Sequence, residues 1–205
     1  MVKNCTVASN KGDGIQAGNQ AAIAGCNAVG NGNGAVGSGI AAGDNSSVVS
    51  CNVQGNKNHG IQLGLRCQVK DCNANGNGTG ATGSGISTGV RAMVKDCTAT
   101  ENRENGIVVG AESIVIDSRG NHNGLGGATF AAGIKASSGA GSRIEGNQAR
   151  ENTGYGVLAA LGTVVIRNTA GANTVADFQP STGANFGPVQ SPNTAGASPL
   201  GNIVF

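Results

Sequence analysis

"VKDCTATENRENGI" (Val94–Ile107) decides the fold, because the chain has already written it once, as "VKDCNANGNGTGATGSGI" (Val69–Ile86). Both stretches open on Val-Lys-Asp-Cys and close on Gly-Ile. The earlier one carries four more residues between its Asn and its Gly-Ile. Aligned on the apolar residue ahead of each Cys, the sequence divides into eight units that start at Val2, Ile23, Val48, Val69, Val94, Val115, Ile144 and Val165. The unit lengths are 21, 25, 21, 25, 21, 29 and 21 residues. Self-similarity at such a period marks a solenoid.

The columns say which kind. One runs Cys5, Cys26, Cys51, Cys72, Cys97, Ser118, Asn147, Asn168. A second, of small apolar residues, runs from Val7 to Ala170. A third is Asn throughout: Asn10, Asn31, Asn56, Asn77, Asn102, Asn123, Asn152, Asn173. The unit cannot hold a helix pair. Its apolar residues alternate over short stretches, as in Val-x-x-Cys-x-Ala, and Gly and Asn break them up, which reads as short strands joined by tight turns. A 21-residue unit with three such strands makes one coil of a parallel β-helix, with like residues stacked roughly 4.8 Å apart. A turn Asn accepts from and donates to its copies above and below and tolerates a left-handed backbone, so the third column predicts a ladder.

Composition agrees. Gly is 37 of 205 residues, aromatics are 2% and Trp is absent, too little bulk for a helical core. Charged residues are 12% and the net charge is +2, which excludes the basic face that nucleic acid needs. No apolar run is long enough for a membrane span. No secretory signal precedes the first repeat. The sequence starts inside the pattern, at Met1-Val2, which reads as a fragment.

On "VKDCTATENRENGI" and its seven relatives, the chain resembles the right-handed parallel β-helix proteins built from pectate-lyase-like repeats, over roughly residues 2–173. The resemblance implies an all-β, right-handed parallel β-helix solenoid of about eight coils (1–173). A polar tail (174–205) then caps the last coil with Phe178, Phe186, Val189, Leu200, Ile203 and Phe205. The N-terminal cap of that family is not matched. The resemblance also implies an extracellular or cell-surface setting, and contact with polysaccharide.

Six Cys invite a disulfide reading, but five stand in one inward column and Cys67 in a further, small-residue column with Ala21, Ser46, Ala92, Ser113 and Thr163. Parallel stacking leaves their Cβ atoms about 1 Å too far apart for a bridge. All six are expected as buried thiols that pack as small hydrophobes.

Two charged groups are candidate sites. Outward positions of coils three to six carry Arg66, Lys70, Asp71, Arg91, Lys95, Asp96, Glu112 and Asp117. Enzymes of the resembled fold act on acidic polysaccharide with this palette: carboxylates hold Ca²⁺, and a Lys or Arg takes a proton. Asp71, Asp96 and Asp117 are the weak Ca²⁺ candidates, and no cofactor is otherwise expected. The competing reading pairs the Lys and Asp columns across coils as surface salt bridges. The second group is the edge that the long turns leave. The extra residues of coils two, four and six fall between the Asn and the Gly-Ile, so a notched rim is expected. Lys57 and His59 lie in one gap, Arg103 and Glu104 in the next. Such a rim is either a binding face or a way to keep long turns from colliding. His59, in a mostly polar column, reads as a surface turn residue.

Two function classes remain open: a non-catalytic binding or structural module, or a fragment or minimal form of a polysaccharide lyase or glycoside hydrolase. The first is favoured, because no catalytic constellation is complete. The bare first coil, with Val2, Cys5 and Val7, is expected to self-associate.

Overall fold

In the computed structural model, residues 1–34, 36–128, 130–137, 141–180, 183–191 and 198–205 are described. They form an all-β solenoid. Each coil contributes one strand to each of three sheets, here A, B and C. In coil four these are Gln68–Lys70, Asn73–Asn75 and Ile86–Thr88. Sheet A has nine strands, sheet B ten and sheet C eight. Pairing is parallel and in register. Val69 pairs with Val48 and Val94, Ala74 with Val53 and Ala99, and Ile86 with Ile61 and Ile107. Strands of three residues suit the out-in-out pattern, because only the middle residue of A and B must point inward. Those inward residues are fully buried, as at Val48, Val94, Ala74 and Ala99, and the Ile column of sheet C (Ile40, Ile61, Ile86, Ile107, Ile134) completes the core.

The corners show a rule that the columns concealed. Each corner is one residue in left-handed conformation followed by one whose side chain points inward. Asn4, Ser50, Asp71, Asp96 and Asp117 precede the Cys column. Ser9, Glu101, His122 and Glu151 precede the Asn column. Gln20, Asn45, Arg66, Arg91 and Glu112 precede the small-residue column. The left-handed residue is thus the neighbour of the ladder Asn, not the Asn itself. The sharp turn leaves the next backbone N–H without a strand partner, and a side chain of the following coil accepts it. Asn77 N donates to Asn102 Oδ1 at 3.0 Å, Cys51 N to Cys72 Sγ at 3.4 Å, and Ala92 N to Ser113 Oγ at 3.0 Å. This explains why the Cys column passes to Ser118, Asn147 and Asn168 inside the core: each offers the same acceptor, as in Cys97 N to Ser118 Oγ and Ser118 N to Asn147 Oδ1. All eight column Asn residues stand in the ladder, from Asn10 donating to Asn31 through to Asn152 donating to Asn173.

No cysteine is bridged. Five are buried, but Cys5 is exposed, against the expectation of six buried thiols. It belongs to the first coil, whose strands are outermost in their sheets.

The long turns do not leave gaps. Each lies against the short turn of the coil before it: Gly34 N donates to Lys11 O, Gly80 N to Lys57 O and Gly126 N to Arg103 O. The following short turn bonds back, as Asn58 N does to Gly37 O and Glu104 N to Gly83 O. The expected notched rim is therefore a continuous edge in which long turns overlie short ones. Gly is required there: a methyl on Gly37 would meet Gly12 O at 2.4 Å, and one on Gly80 would meet Lys57 O at 2.9 Å. Coil six departs from the pattern. Besides its long turn it has two more residues between Ile134 and Ile144 than coil five has between Ile107 and Val115. Residues 138–140 of that segment lie outside the described ones.

The tail is not a separate lid. Ala176–Pro180 is the sheet C strand of coil eight, so the solenoid continues past residue 173. Asn185–Phe186 then extends sheet A, and Asn202–Val204 lies between Thr169–Gly171 and Val189–Gln190 in sheet B. Phe178 and Phe186 pack on the core with ring centroids 6.2 Å apart, edge to face. Ile203 is half-buried, whereas Val189, Leu200 and Phe205 are exposed.

Candidate functional site

The corner between sheets A and B forms a groove of ≈ 520 Å³ lined by Ser50, Asn52, Asp71, Asn73, Asp96 and Thr98, with Cys51 and Cys72 at its floor. The left-handed turn makes the groove. It turns the Asp side chain outward at one wall, sends the Cys inward, and leaves the first outward residue of the sheet B strand as the other wall. In coils three to five the corner therefore presents Ser50 with Asn52, Asp71 with Asn73, and Asp96 with Thr98. The amides are already aligned: Asn73 Nδ2 donates to Asn52 Oδ1 at 3.2 Å, and Asn52 Nδ2 to Asn27 Oδ1 at 3.1 Å. The same corner continues along coils six to eight as a second concavity with Asp117, Arg119, Gln148, Arg167 and Thr169.

The carboxylates are partly neutralised from within their own coil. Lys70 Nζ lies 3.3 Å from Asp71 and Lys95 Nζ 4.0 Å from Asp96. The expected pairing across coils is therefore corrected for these residues. It holds for Arg91, which grips Glu112 of the next coil at 2.8 Å. That bond raises the Arg91 pKa and lowers that of Glu112. Nor is the charged patch one surface. Lys70, Asp71, Lys95, Asp96 and Asp117 share the A/B corner. Arg66, Arg91 and Glu112 occupy the corner at the other end of the sheet A strands. Among the described residues no group of three His, Cys, Asp or Glu side chains is placed to hold a metal ion, so Asp71, Asp96 and Asp117 form a row and not a cage.

The rim residues serve the turns. Arg103 Nε donates to Ala81 O of the long turn before it, while its carbonyl receives Gly126 of the long turn after it. Lys57 is held beneath Gly80 in the same way. His59 is half-buried, and its Nδ1 accepts Ser84 N–H at 3.0 Å, so it is a member of the stacked corner rather than a solvated turn residue. Burial pushes its pKa below the usual 6.5, against the pull of the Glu104 carboxylate.

Two arrangements escaped the sequence columns. Glu145 is held between Arg143 and Arg167 with its side chain 12% exposed, and the hydrogen bond from Arg143 keeps its carboxyl below the ordinary range. His122 and Glu151 pair at 2.5 Å on neighbouring coils at the corner after sheet B. The first combines residues from different columns, and the second stacks two members of one column, the residue before the ladder Asn.

Over residues 1–123 the sequence matches the family described as right handed beta helix region. The chain belongs to the right-handed β-helix family. No curated protein matches it. A solved structure, "Crystal structure of pectate lyase Pel9A", aligns with a TM-score of 0.63 at 19% identity, covering 85% of this chain and 49% of that one. At that identity the likeness is one of fold. The right-handed β-helix described here spans about half the length of that lyase. No helix among its described residues is long and apolar enough to cross a membrane.

Proposed function

We propose that this β-helix is a non-catalytic binding module of an extracellular or cell-surface protein, and that it contacts polysaccharide along the A/B corner. The groove carries the reading. Asp71, Asp96 and Asp117 stand one per coil in coils four to six, beside the aligned amides Asn27, Asn52 and Asn73 of coils two to four, so a polymer of hydroxyl-rich units meets hydrogen-bonding side chains at successive steps. Carboxylates accept sugar hydroxyls, and Asn both donates and accepts. The Lys neighbours offset the acid row, so neither neutral nor acidic glycans are turned away.

A second reading is favoured by one observation, the stacking of Asp71 on Asp96. Coils roughly 4.8 Å apart put neighbouring carboxylates near the separation that retaining glycosidases use. In that case the chain is a minimal hydrolase or, with Lys95 as base, a lyase.

Affinity electrophoresis against a panel of neutral and uronate polysaccharides, with and without Ca²⁺, tests the proposal. Retardation that Asp96→Asn and Asn73→Ala each weaken, with no new reducing ends and no absorbance from unsaturated uronides, is the expected outcome. Product formation that Asp96→Asn abolishes would establish the second reading. No retardation by any glycan would remove both.

A further inference from the structure

Three residues depart from their columns, and the fold gathers them at one hollow. Glu104 stands two positions after the ladder Asn of coil five, where the other short turns have Gly12, Asn58 and Gly154. Lys135 points outward from sheet C in a column that otherwise runs Gln16, Ala41, Gln62, Ser87, Val108 and Leu158. Phe130 belongs to the long turn of coil six, which puts ten residues between Asn123 and Ile134 where coils two and four put eight, none of them aromatic. Stacking of the coils asks for none of the three.

The hollow measures ≈ 240 Å³ and is lined by Glu104, Asn105, Ala128, Phe130, Ala131 and Lys135. Its frame is tied down. Asn105 Oδ1 accepts from Ala132 N at 3.0 Å and Asn105 Nδ2 donates to Ser84 Oγ at 3.3 Å, which joins the coil-five turn to the strand after the long turn. Ala131 N donates to Ala128 O at 3.0 Å and so closes the turn that presents Phe130, 65% exposed. Lys135 Nζ donates to Phe130 O at 3.5 Å, which holds the ammonium against that turn.

The two charges do not meet. Among the described residues neither Glu104 nor Lys135 forms an ion pair, although both line the same small space. His59, beside Glu104, offers no compensating charge at neutral pH, because burial lowers its pKa below 6.5. Opposite charges held apart around an open hollow leave room for a group that donates to one and accepts from the other.

We propose that this hollow binds one neutral pyranose residue, with a C–H face of the sugar on the Phe130 ring and its hydroxyls shared between Glu104 and Lys135. A hydroxyl donates to a carboxylate and accepts from an ammonium, so adjacent hydroxyls satisfy both. The face of a phenyl ring is the negative pole of its quadrupole and attracts the weakly positive C–H groups on one side of the sugar. A carboxylated sugar sets its charge against Glu104 and a cationic one against Lys135, so the uncharged ring fits best. Size agrees: the hollow is smaller than the roughly 300 Å³ at which drug-sized pockets begin, and it takes one ring rather than a chain. The site lies where sheet B passes to sheet C, apart from the A/B corner, and stands whether or not a polymer binds there.

Saturation-transfer NMR on the 205-residue chain tests this, with the methyl glycosides of glucose, galactose and mannose and methyl glucuronide as probes. Each is used at about 50 mM, where a ligand of roughly millimolar affinity saturates its site. At least one neutral glycoside should receive saturation, strongest at the C–H protons of one ring face. Phe130→Ala should abolish the signal with the far-UV circular dichroism unchanged. Glu104→Gln and Lys135→Met should each weaken affinity about tenfold. Leu125→Ala, exposed on the same turn but outside the hollow, should leave it as it was. Absence of saturation in every neutral glycoside overturns the proposal, and so does a signal that survives Phe130→Ala. Tighter binding of the glucuronide than of the matching glucoside overturns the neutral assignment.

Discussion

Asp96 carries two arguments at once, one for its backbone and one for its carboxylate. At φ 53° it sits where most L-residues are strained, and Asp tolerates this better than most. Asp96→Gly should therefore keep or raise stability, and Asp96→Val should cost about 1–2 kcal/mol; denaturant unfolding of both variants measures this. If glycan retention falls in the Gly variant while stability holds, the carboxylate has a role apart from the turn. The ladder Asn residues are a different case. Asn102→Ala strips the acceptor from the buried Asn77 N and Nδ2. It should cost about 3 kcal/mol, because buried donors left unpaired lose their full solvation. Asp177→Asn keeps the acceptor that Asn173 Nδ2 uses at the ladder end and should change stability by less than about 1 kcal/mol. The thiols divide likewise. Cys5 should react with a thiol reagent at once and the other five slowly, with six equivalents after unfolding. Burial also raises the Cys67 pKa, and Cys51 is pushed up by its hydrogen bond with Cys72 and by burial. Fewer than six in denaturant without reductant would contradict the unbridged column.

At the scale of the element, the coil is a triangle whose corners take three residue types for one purpose. Cys, Ser and Asn look unrelated in sequence, yet each caps the N–H that a left-handed turn strands. The coil's interior is narrow enough that backbone meets backbone. A methyl on Gly120, in the inward column of sheet B, would lie 2.2 Å from Gly133 O across the coil. Gly120→Ala should therefore cost about 2 kcal/mol or more, as overpacking does, although Ala fills this column in five of the other coils. Ala99→Gly, its neighbour in the column, has no such clash to relieve and should cost about 1 kcal/mol through backbone entropy and lost packing. Urea unfolding of the two variants separates close approach from propensity.

For the whole molecule, acid is the condition that reports on two half-buried groups, His59 and Glu145. His59 has a folded pKa below its usual 6.5, so the unfolded chain takes up the proton first and stability falls as pH drops through 6.5. Glu145 has a folded pKa below its usual 4.5, so a further loss begins as pH drops through 4.5. Unfolding midpoints followed from neutral to acid pH should show both steps, the upper one absent in His59→Gln and the lower one reduced in Glu145→Gln, where Glu112 still contributes. An upper step that persists in His59→Gln would mean that another group titrates there.

Periodicity alone specified the parallel solenoid, the coil boundaries, the Asn ladder and the unbridged Cys column, because each is a one-dimensional pattern that stacking preserves. Register fixes which residue lies above which, and the spacing between columns gives that directly. What lies beside what was decided only in three dimensions. Lys70 turns to Asp71 of its own coil, while Arg91 reaches Glu112 of the next. Arg66 and Arg91 fall at a different corner from the Asp row. The long turns of coils two, four and six fold back over short ones instead of standing apart. Each outcome depends on where a corner bends and which way a side chain leaves it, and a left-handed Asp, Arg or Glu looks in sequence like any other surface charge.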